Sequence, residues 1–247
     1  MVLPRIVGAE ILDGLAVDDP AATRSRRDLR RVHRAMATRS IVSRALRAAI
    51  VSTPARRPLQ VLEIGAGDGS LLLGVARRLA PAWPPVELTL LDAQPLVERE
   101  TITSYADLGW KVVPAVVDVL GWAAAVTDPL LPNSATARWD LIVANLFLHH
   151  FADADLAGLL GAIAVRSDRL FACEPRRAWL ALAGSHLLGA LGVNAVTRED
   201  AVLSVHAGFK GKELSALWPS GPAEWRLHEY PAGLFSHCFR AERVEVV

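Results

Sequence analysis

The fold of this chain is decided by a stretch that reads Pro58-Leu59-Gln60-Val61-Leu62-Glu63-Ile64-Gly65-Ala66-Gly67-Asp68-Gly69-Ser70. Apolar residues lead into an acidic residue and three alternating glycines, and residues 71–79 then have the pattern of an amphipathic helix. This pattern predicts a buried parallel strand, a tight turn and a helix. Glycines let a ligand approach the backbone closely, and a helix start offers unpaired N–H groups. We therefore expect a nucleotide-like cofactor at this turn.

The spacing of the glycines indicates which cofactor. Dinucleotide-binding turns have the spacing G-x-G-x-x-G, whereas this one has G-x-G-x-G, with Ser70 where the third glycine would stand. Glu63 would repel a pyrophosphate and suits a cationic group, such as the amino group of an amino acid. The stretch resembles the first motif of class I S-adenosylmethionine-dependent methyltransferases, (V/L)-(L/V)-(D/E)-(I/V/L)-G-x-G-x-G, at all of its defining positions. The resemblance implies S-adenosyl-L-methionine as the cofactor.

Length and composition exclude several classes of protein. A chain of 247 residues and 26.6 kDa fits one α/β domain with a helical addition, or at most two small domains. A hydrophobic content of 52% with 21% charged residues is typical of a globular protein, and a net charge of +1 gives no field that would attract nucleic acid. Two cysteines make no disulfide framework, and neither a signal peptide nor a membrane span is recognised. We expect a cytoplasmic monomer or homodimer that does not bind nucleic acid and does not insert into membranes.

Strands and helices alternate along most of the chain. The spacing of apolar residues predicts two helices within 20–50, with a break near Thr38 to Ser40. Further helices are predicted near 70–80, 95–108, 122–126, 153–165, 175–190 and 210–218, with another starting near Thr197. Strands are predicted near 59–64, 86–91, 111–116, 139–144, 168–173, 224–230 and 234–241.

This alternation predicts an α/β fold, Rossmann-like, with a seven-stranded, mostly parallel sheet. Only residues 231–233 separate the last two strands, so these form an antiparallel C-terminal hairpin. We expect an N-terminal helical cap at residues 1–55, followed by a cofactor-binding domain at 56–247. A helical insert at about 175–220 would form a substrate wall within that domain.

Polar residues follow the predicted strands at the edge where ligands bind in open α/β sheets. Glu63, Asp92 and Asp118 follow the first three strands, and Asn145 follows the fourth. One carboxylate can accept both hydroxyls of a ribose or an exocyclic amino group, although each acid alone could also be a helix cap or loop acid. The resemblance implies that Glu63 lies beside the amino-acid part of the cofactor, Asp92 beside the ribose and Asp118 beside the adenine. The predicted cofactor-binding residues are Glu63, Gly65, Ala66, Gly67, Gly69, Asp92, Ala93, Asp118, Val119, Asn145 and Leu146.

The segment after the fourth strand bears on the methyl acceptor. It reads Asn145-Leu146-Phe147-Leu148-His149-His150-Phe151 and lacks the Asn/Asp-Pro-Pro-Tyr/Phe motif typical of family members that act on DNA and glutamine. The segment resembles bacterial small-molecule methyltransferases of quinone and aromatic polyketide pathways. Residues 26–34 and 203–209 resemble family members found alongside type III polyketide synthases, which implies a phenolic acceptor and secondary metabolism. His33 and His206 depart from that pattern, where asparagine and arginine would be expected.

Histidines are the candidate catalytic residues. A phenol has a pKa of about 10, so its methylation favours a general base, and histidine suits that task. The candidates are His149, His150, His186 and His206. If the segment is helical, His149 faces the cofactor and His150 points elsewhere; alternatively, these histidines cap the loop and pack beside the cofactor. No metal-ligand set is singled out.

The favoured prediction is O-methylation of a small aromatic or polyketide-derived molecule. Methylation of carbon on an activated ring is its close alternative. A nicotinamide-dependent oxidoreductase and a non-catalytic, methyltransferase-like binding protein are the alternatives from other classes.

Overall fold

Seven strands form one sheet in the computed structural model of this chain, which describes residues 3–50, 57–130, 138–221 and 223–244. The strand order is β3-β2-β1-β4-β5-β7-β6, and only β7 runs antiparallel to its neighbours β5 and β6. The predicted fold class is confirmed. The strands are β1 Leu59–Ile64, β2 Val86–Asp92, β3 Trp110–Val116, β4 Leu141–Asn145, β5 Arg169–Pro175, β6 Trp225–Ala232 and β7 Ser236–Arg243.

Helices cover both faces of this sheet and its carboxyl edge. The α-helices among the described residues are α1 Pro20–Ala35, α2 Thr38–Ile50, α3 Ser70–Leu79, α4 Arg99–Ala106, α5 Val119–Ala124, α6 Asp153–Arg166, α7 Trp179–Leu187, α8 Ala195–Ala207 and α9 Glu213–Leu217. Short 3-10 helices occur at Leu12–Gly14, Leu148–His150 and Leu188–Leu191. None of the helices within the described ranges is long and apolar enough to cross a membrane.

Several predicted boundaries are wrong by a few residues. The break between α1 and α2 lies at Met36 and Ala37, because Ala37 takes a left-handed conformation with φ 55°. α7 begins at Trp179 rather than near 175, since β5 continues through Pro175. The hairpin turn is at residues 233–235 rather than 231–233, where Gly233 has φ 68°. The predicted domain boundary at residue 55 lies outside the described residues.

Two apolar layers hold the helices on the sheet. Because successive side chains of a strand point to opposite faces, β1 directs Val61 into one layer and Leu62 and Ile64 into the other. The first layer packs against α2 and α3, and the second against α5 and α6. A parallel strand covered on both faces needs this near-continuous apolar sequence.

Two helices, α1 and α8, are joined by buried polar contacts. Ser25 of α1 and Thr197 of α8 share a hydrogen bond of 2.8 Å between their hydroxyl oxygens. The N–H of Asn194, the residue before α8, donates to the Asp28 carboxylate at 2.9 Å. These contacts fix the pair of helices relative to each other, and residues of both face the carboxyl edge of the sheet.

The glycine at the start of α3 provides a test of this packing. Gly69 has φ 72°, and a Cβ there would lie 2.9 Å from Leu90 Cδ1. We expect Gly69→Ala to lower the free energy of unfolding by about 1–3 kcal/mol, because of the left-handed backbone and the close contact. Gly158→Ala, in the exposed middle of α6 with nothing within 4 Å, should raise it by about 0.5–1 kcal/mol. Urea unfolding of both variants measures this; equal effects would contradict the packing described.

Candidate active site

A cavity of about 620 Å³ lies at the carboxyl ends of β1, β2 and β4. This is where strand order reverses, since β1 pairs with β2 on one side and with β4 on the other. Helices α1, α7 and α8 line the side of the cavity away from the sheet. Both its size and its place at the switch point of the sheet are typical of a site for a small ligand.

The glycine turn forms one wall of this cavity. Gly65 has φ 66°, and a Cβ there would lie 2.1 Å from the ring of Phe147, so only glycine fits. Gly67 has φ 56°, and nothing lies within 4 Å of its Cβ position. The open space above Gly67 lets a ligand reach the backbone, as predicted for a cofactor-binding turn.

The two acids after β2 and β3 shape the backbone around the cavity. Asp92 accepts hydrogen bonds from the N–H groups of Gly67 at 2.7 Å and Gln94 at 2.9 Å. Asp118 precedes α5 and caps it by accepting the N–H of Gly121 at 2.7 Å. Both acids also line the cavity. Because a carboxylate oxygen can accept more than one hydrogen bond, these structural contacts leave capacity for a ligand.

A buried pair of polar side chains spans the switch point. Asn145 Nδ2 donates to Glu63 Oε1 at 3.0 Å, joining β4 to β1. Glu63 is 1% exposed, and neither its Oε2 nor Asn145 Oδ1 has a hydrogen-bond partner among the described residues. Burial raises the pKa of Glu63 to about 8 against the opposing hydrogen bond from Asn145, and the charges of Asp68 and Asp92 add to the rise. Two unpartnered buried acceptors favour a ligand that brings hydrogen-bond donors and positive charge.

The turn after β4 is held by a second buried carboxylate, that of Glu174 at the end of β5. Leu146 takes a left-handed conformation with φ 55°, and the chain then turns toward β5. Glu174 accepts the N–H groups of Phe147, Leu148 and His149 at 3.1–3.3 Å. The sequence alone left the role of this residue open. Its one signal was an acid directly after a strand and before Pro175.

His149 lies between two carboxylates. Its Nδ1 is 2.8 Å from Glu174 Oε2, and its Nε2 is 3.3 Å from Glu10 Oε1. Burial opposes a charge on this ring, but the hydrogen bonds with Glu10 and Glu174 raise the pKa of His149 to about 9. A ring that carries protons on both nitrogens has no lone pair with which to take a proton from a substrate hydroxyl. This arrangement argues against His149 as a general base near neutral pH.

Of the other predicted histidines, only His150 lines the cavity. His150 lines the cavity beside His149, with ring centroids 4.4 Å apart. The expectation that it points elsewhere is wrong, because the segment is a 3-10 helix that starts beyond the left-handed Leu146. His186 is exposed on α7, and neither it nor His206 lines the cavity.

All predicted cofactor-binding residues except Gly69 line the cavity. Gly69 is buried below the turn, where its carbonyl accepts the hydroxyl of Tyr105 at 2.9 Å. It serves the turn through its backbone conformation rather than through a ligand. The sequence analysis also missed residues of the N-terminal segment, Glu10 and Asp13, which reach the cavity from outside the sheet.

Several solved structures similar to this one are described as methyltransferases. The plantazolicin methyltransferase BpumL in complex with SAH has a TM-score of 0.61 at 14% identity, over 91% of each chain. An O-methyltransferase family protein from Burkholderia thailandensis has a TM-score of 0.56 at 16% identity, over 91% of this chain and 60% of that one. Magnesium protoporphyrin IX methyltransferase from Synechocystis PCC 6803, with bound SAM, has a TM-score of 0.51 at 14% identity, over 95% and 88%.

The chain has the class I methyltransferase fold. At these identities the similarity establishes the architecture alone. No protein-family model matches the sequence, and a search of curated proteins finds no match. Within the methyltransferase fold, the glycine turn, Glu63, Asp92, Asp118 and Asn145 are brought together at one cavity, as the resemblance implied.

The buried carboxyl of Glu63 predicts a pH-dependent stability. Its folded-state pKa of about 8 exceeds its usual 4.5, so the folded protein holds this proton more tightly than the unfolded chain does. The resulting contribution to the free energy of unfolding is present at low pH and is lost as the pH rises from 4.5 to about 8. The wild type should lose about 1.4 kcal/mol of unfolding free energy per pH unit there relative to Glu63→Gln. Urea unfolding between pH 5 and about 8 measures the difference. Glu100→Gln, on the exposed part of α4, should follow the wild type; parallel profiles for wild type and Glu63→Gln would refute the assignment.

Proposed function

We propose that this protein is an S-adenosylmethionine-dependent methyltransferase that acts on a small molecule. The observation that carries the proposal is the pair Glu63 and Asn145, with two unpartnered buried oxygens beside the glycine turn. A ligand with an ammonium group next to a nucleoside matches these acceptors, and the fold shared with methyltransferases supports the same ligand.

The residues around the cavity fit the parts of this cofactor. Glu63 Oε2 and Asn145 Oδ1 would accept the amino group, since both are buried acceptors without partners among the described residues. Asp92 would accept the ribose hydroxyls, and Asp118 the adenine amino group, with the capacity left beside their backbone contacts. When bound, S-adenosylmethionine supplies a methyl group activated on a sulfonium sulfur.

The rest of the cavity would hold the methyl acceptor. Apolar side chains of α1, the 3-10 helix after α7 and neighbouring loops line it, among them Leu29, Phe151, Leu188 and Phe235. They exclude water and orient an apolar or aromatic molecule, which is most of what a methyl transfer requires of a protein. We propose that the N-terminal helices and the insert at about 175–220 are the acceptor-binding parts of the chain.

The acceptor atom is oxygen in the favoured form of this proposal and ring carbon in the alternative. Both His149 and His150 line the cavity, but His149 is held protonated between Glu10 and Glu174, so His150 is the histidine that we propose to take the proton of an acceptor hydroxyl. We do not propose His186 or His206 for this role, because neither ring lines the cavity. Secondary metabolism and a phenolic substrate follow only from the sequence resemblance, so a panel of phenols is the rational first screen.

Direct binding tests the cofactor. Calorimetry should show binding of S-adenosylmethionine and S-adenosylhomocysteine and none of NADH. Asp92→Asn should weaken both sulfur ligands about tenfold or more, since it removes charge and acceptor capacity at the ribose (about 1.4 kcal/mol per tenfold). Asp107→Asn, at the exposed end of α4 outside the cavity, is the matched control and should bind like the wild type.

Two outcomes would contradict the proposal. Binding of NADH alone would favour the oxidoreductase and overturn the interpretation of the glycine turn. Binding of both sulfur ligands without transfer to any phenol or other small acceptor tested would favour a non-catalytic binding protein.

A further inference from the structure

Three potential metal ligands meet on the acceptor side of the cavity. Glu10, His149 and His150 each offer one ligand atom, and these atoms lie within 4.8 Å of one another. Glu10 comes from the N-terminal segment, whereas the two histidines belong to the 3-10 helix after β4. Two imidazoles with one carboxylate are a donor set that first-row divalent cations prefer.

The spacing of two of these atoms already matches a metal site. Zn²⁺ binds histidine nitrogen and carboxylate oxygen at about 2.0–2.2 Å, so its tetrahedral ligand atoms lie about 3.3–3.5 Å apart. Glu10 Oε1 and His149 Nε2 are 3.3 Å apart. The ligand atom that His150 offers lies within 4.8 Å of the other two, so a shift of this partly exposed ring would bring it to the spacing of a metal site.

Each of the three residues is held in place by a further polar side chain. Glu174 is fully buried and lies 2.8 Å from His149 Nδ1, which leaves Nε2 directed at Glu10. A carboxylate on the far nitrogen of a histidine is the arrangement that orients metal-binding imidazoles. The hydroxyl of Ser204 donates to Glu10 Oε1, and Asp13 Oδ2 lies 3.0 Å from His150 Nδ1.

The N-terminal segment that carries Glu10 is fixed on α8. The N–H groups of Ile11 and Leu12 donate to Asp200 at 2.8 and 3.0 Å, and the N–H of Ile6 donates to the carbonyl of His206 at 3.1 Å. Glu10 is therefore placed by contacts of its neighbours and not only by its own contact with His149. Because these ligands are already fixed, less conformational entropy is lost when an ion binds.

We propose that Glu10, His149 and His150 bind a divalent first-row transition-metal ion, with Zn²⁺ the ion to test first. The ion takes the place of the proton between Glu10 and His149, and that proton is released. Coordination positions not taken by these three residues would be available to an oxygen atom of the methyl acceptor. This role toward the acceptor rests on the proposed function, whereas ion binding does not.

The test is a titration of the tag-free chain with Zn²⁺ in competition with a chelator. We expect one tightly bound ion per chain and a rise in the melting temperature of the wild type. His150→Ala and Glu10→Gln should each weaken binding at least tenfold and lose the rise in melting temperature. His186→Ala, which removes an exposed histidine outside the cavity, should bind Zn²⁺ like the wild type. Melting of each variant without the ion shows that it is folded.

The proposal is overturned if His150→Ala and Glu10→Gln bind Zn²⁺ as tightly as the wild type, or if His186→Ala loses the ion as they do. The result is separable from the proposed function. Tight S-adenosylmethionine binding without a Zn²⁺ site refutes only the metal proposal. Zn²⁺ binding that depends on His150, without any binding of S-adenosylmethionine, refutes only the proposed function.

Discussion

The hydrogen bond between Glu63 and Asn145 joins the two strands at which strand order reverses, and the architecture of the site depends on it. Because β1 and β4 are parallel neighbours, their carboxyl ends lie side by side. The Glu63 carboxyl and the Asn145 amide, from distant parts of the chain, therefore meet in the protein interior. The two side chains share one hydrogen bond, and Glu63 Oε2 and Asn145 Oδ1 have no partner among the described residues. Burying the remaining oxygens costs stability unless a ligand supplies donors, and this cost is what a binding site can recover when it is filled.

Glu174, on the far side of β4, shows what a fully satisfied buried carboxylate does instead. It accepts three backbone N–H groups and contacts the ring of His149, so it fixes the turn that places both histidines. Glu63 lines the cavity with one oxygen unpartnered and marks the proposed cofactor-binding part. Glu174 lies behind the lining and acts on the cavity only through the turn that carries His149 and His150.

The sheet and the cofactor half of the site could be predicted because their signals are local in sequence. Apolar runs give the strands, and the glycine turn and the acids follow strand ends directly. Glu10 could not be found this way, since it lies 139 residues from His149 and contacts it only through the folding of the N-terminal segment onto α8. The direction of His150 was missed because it depends on one left-handed residue, Leu146, which no side-chain pattern marks.

The most direct test of this account is the number of protons released when S-adenosylmethionine binds. Glu63, with its pKa raised to about 8, is mostly protonated at pH 7 and should lose its proton to a cationic ligand. Calorimetry in buffers of different ionisation enthalpy should show release of about one more proton by the wild type than by Glu63→Gln, together with weaker binding by the variant. Equal proton release and equal affinity would show that Glu63 does not receive the amino group, and the account of this site would be wrong.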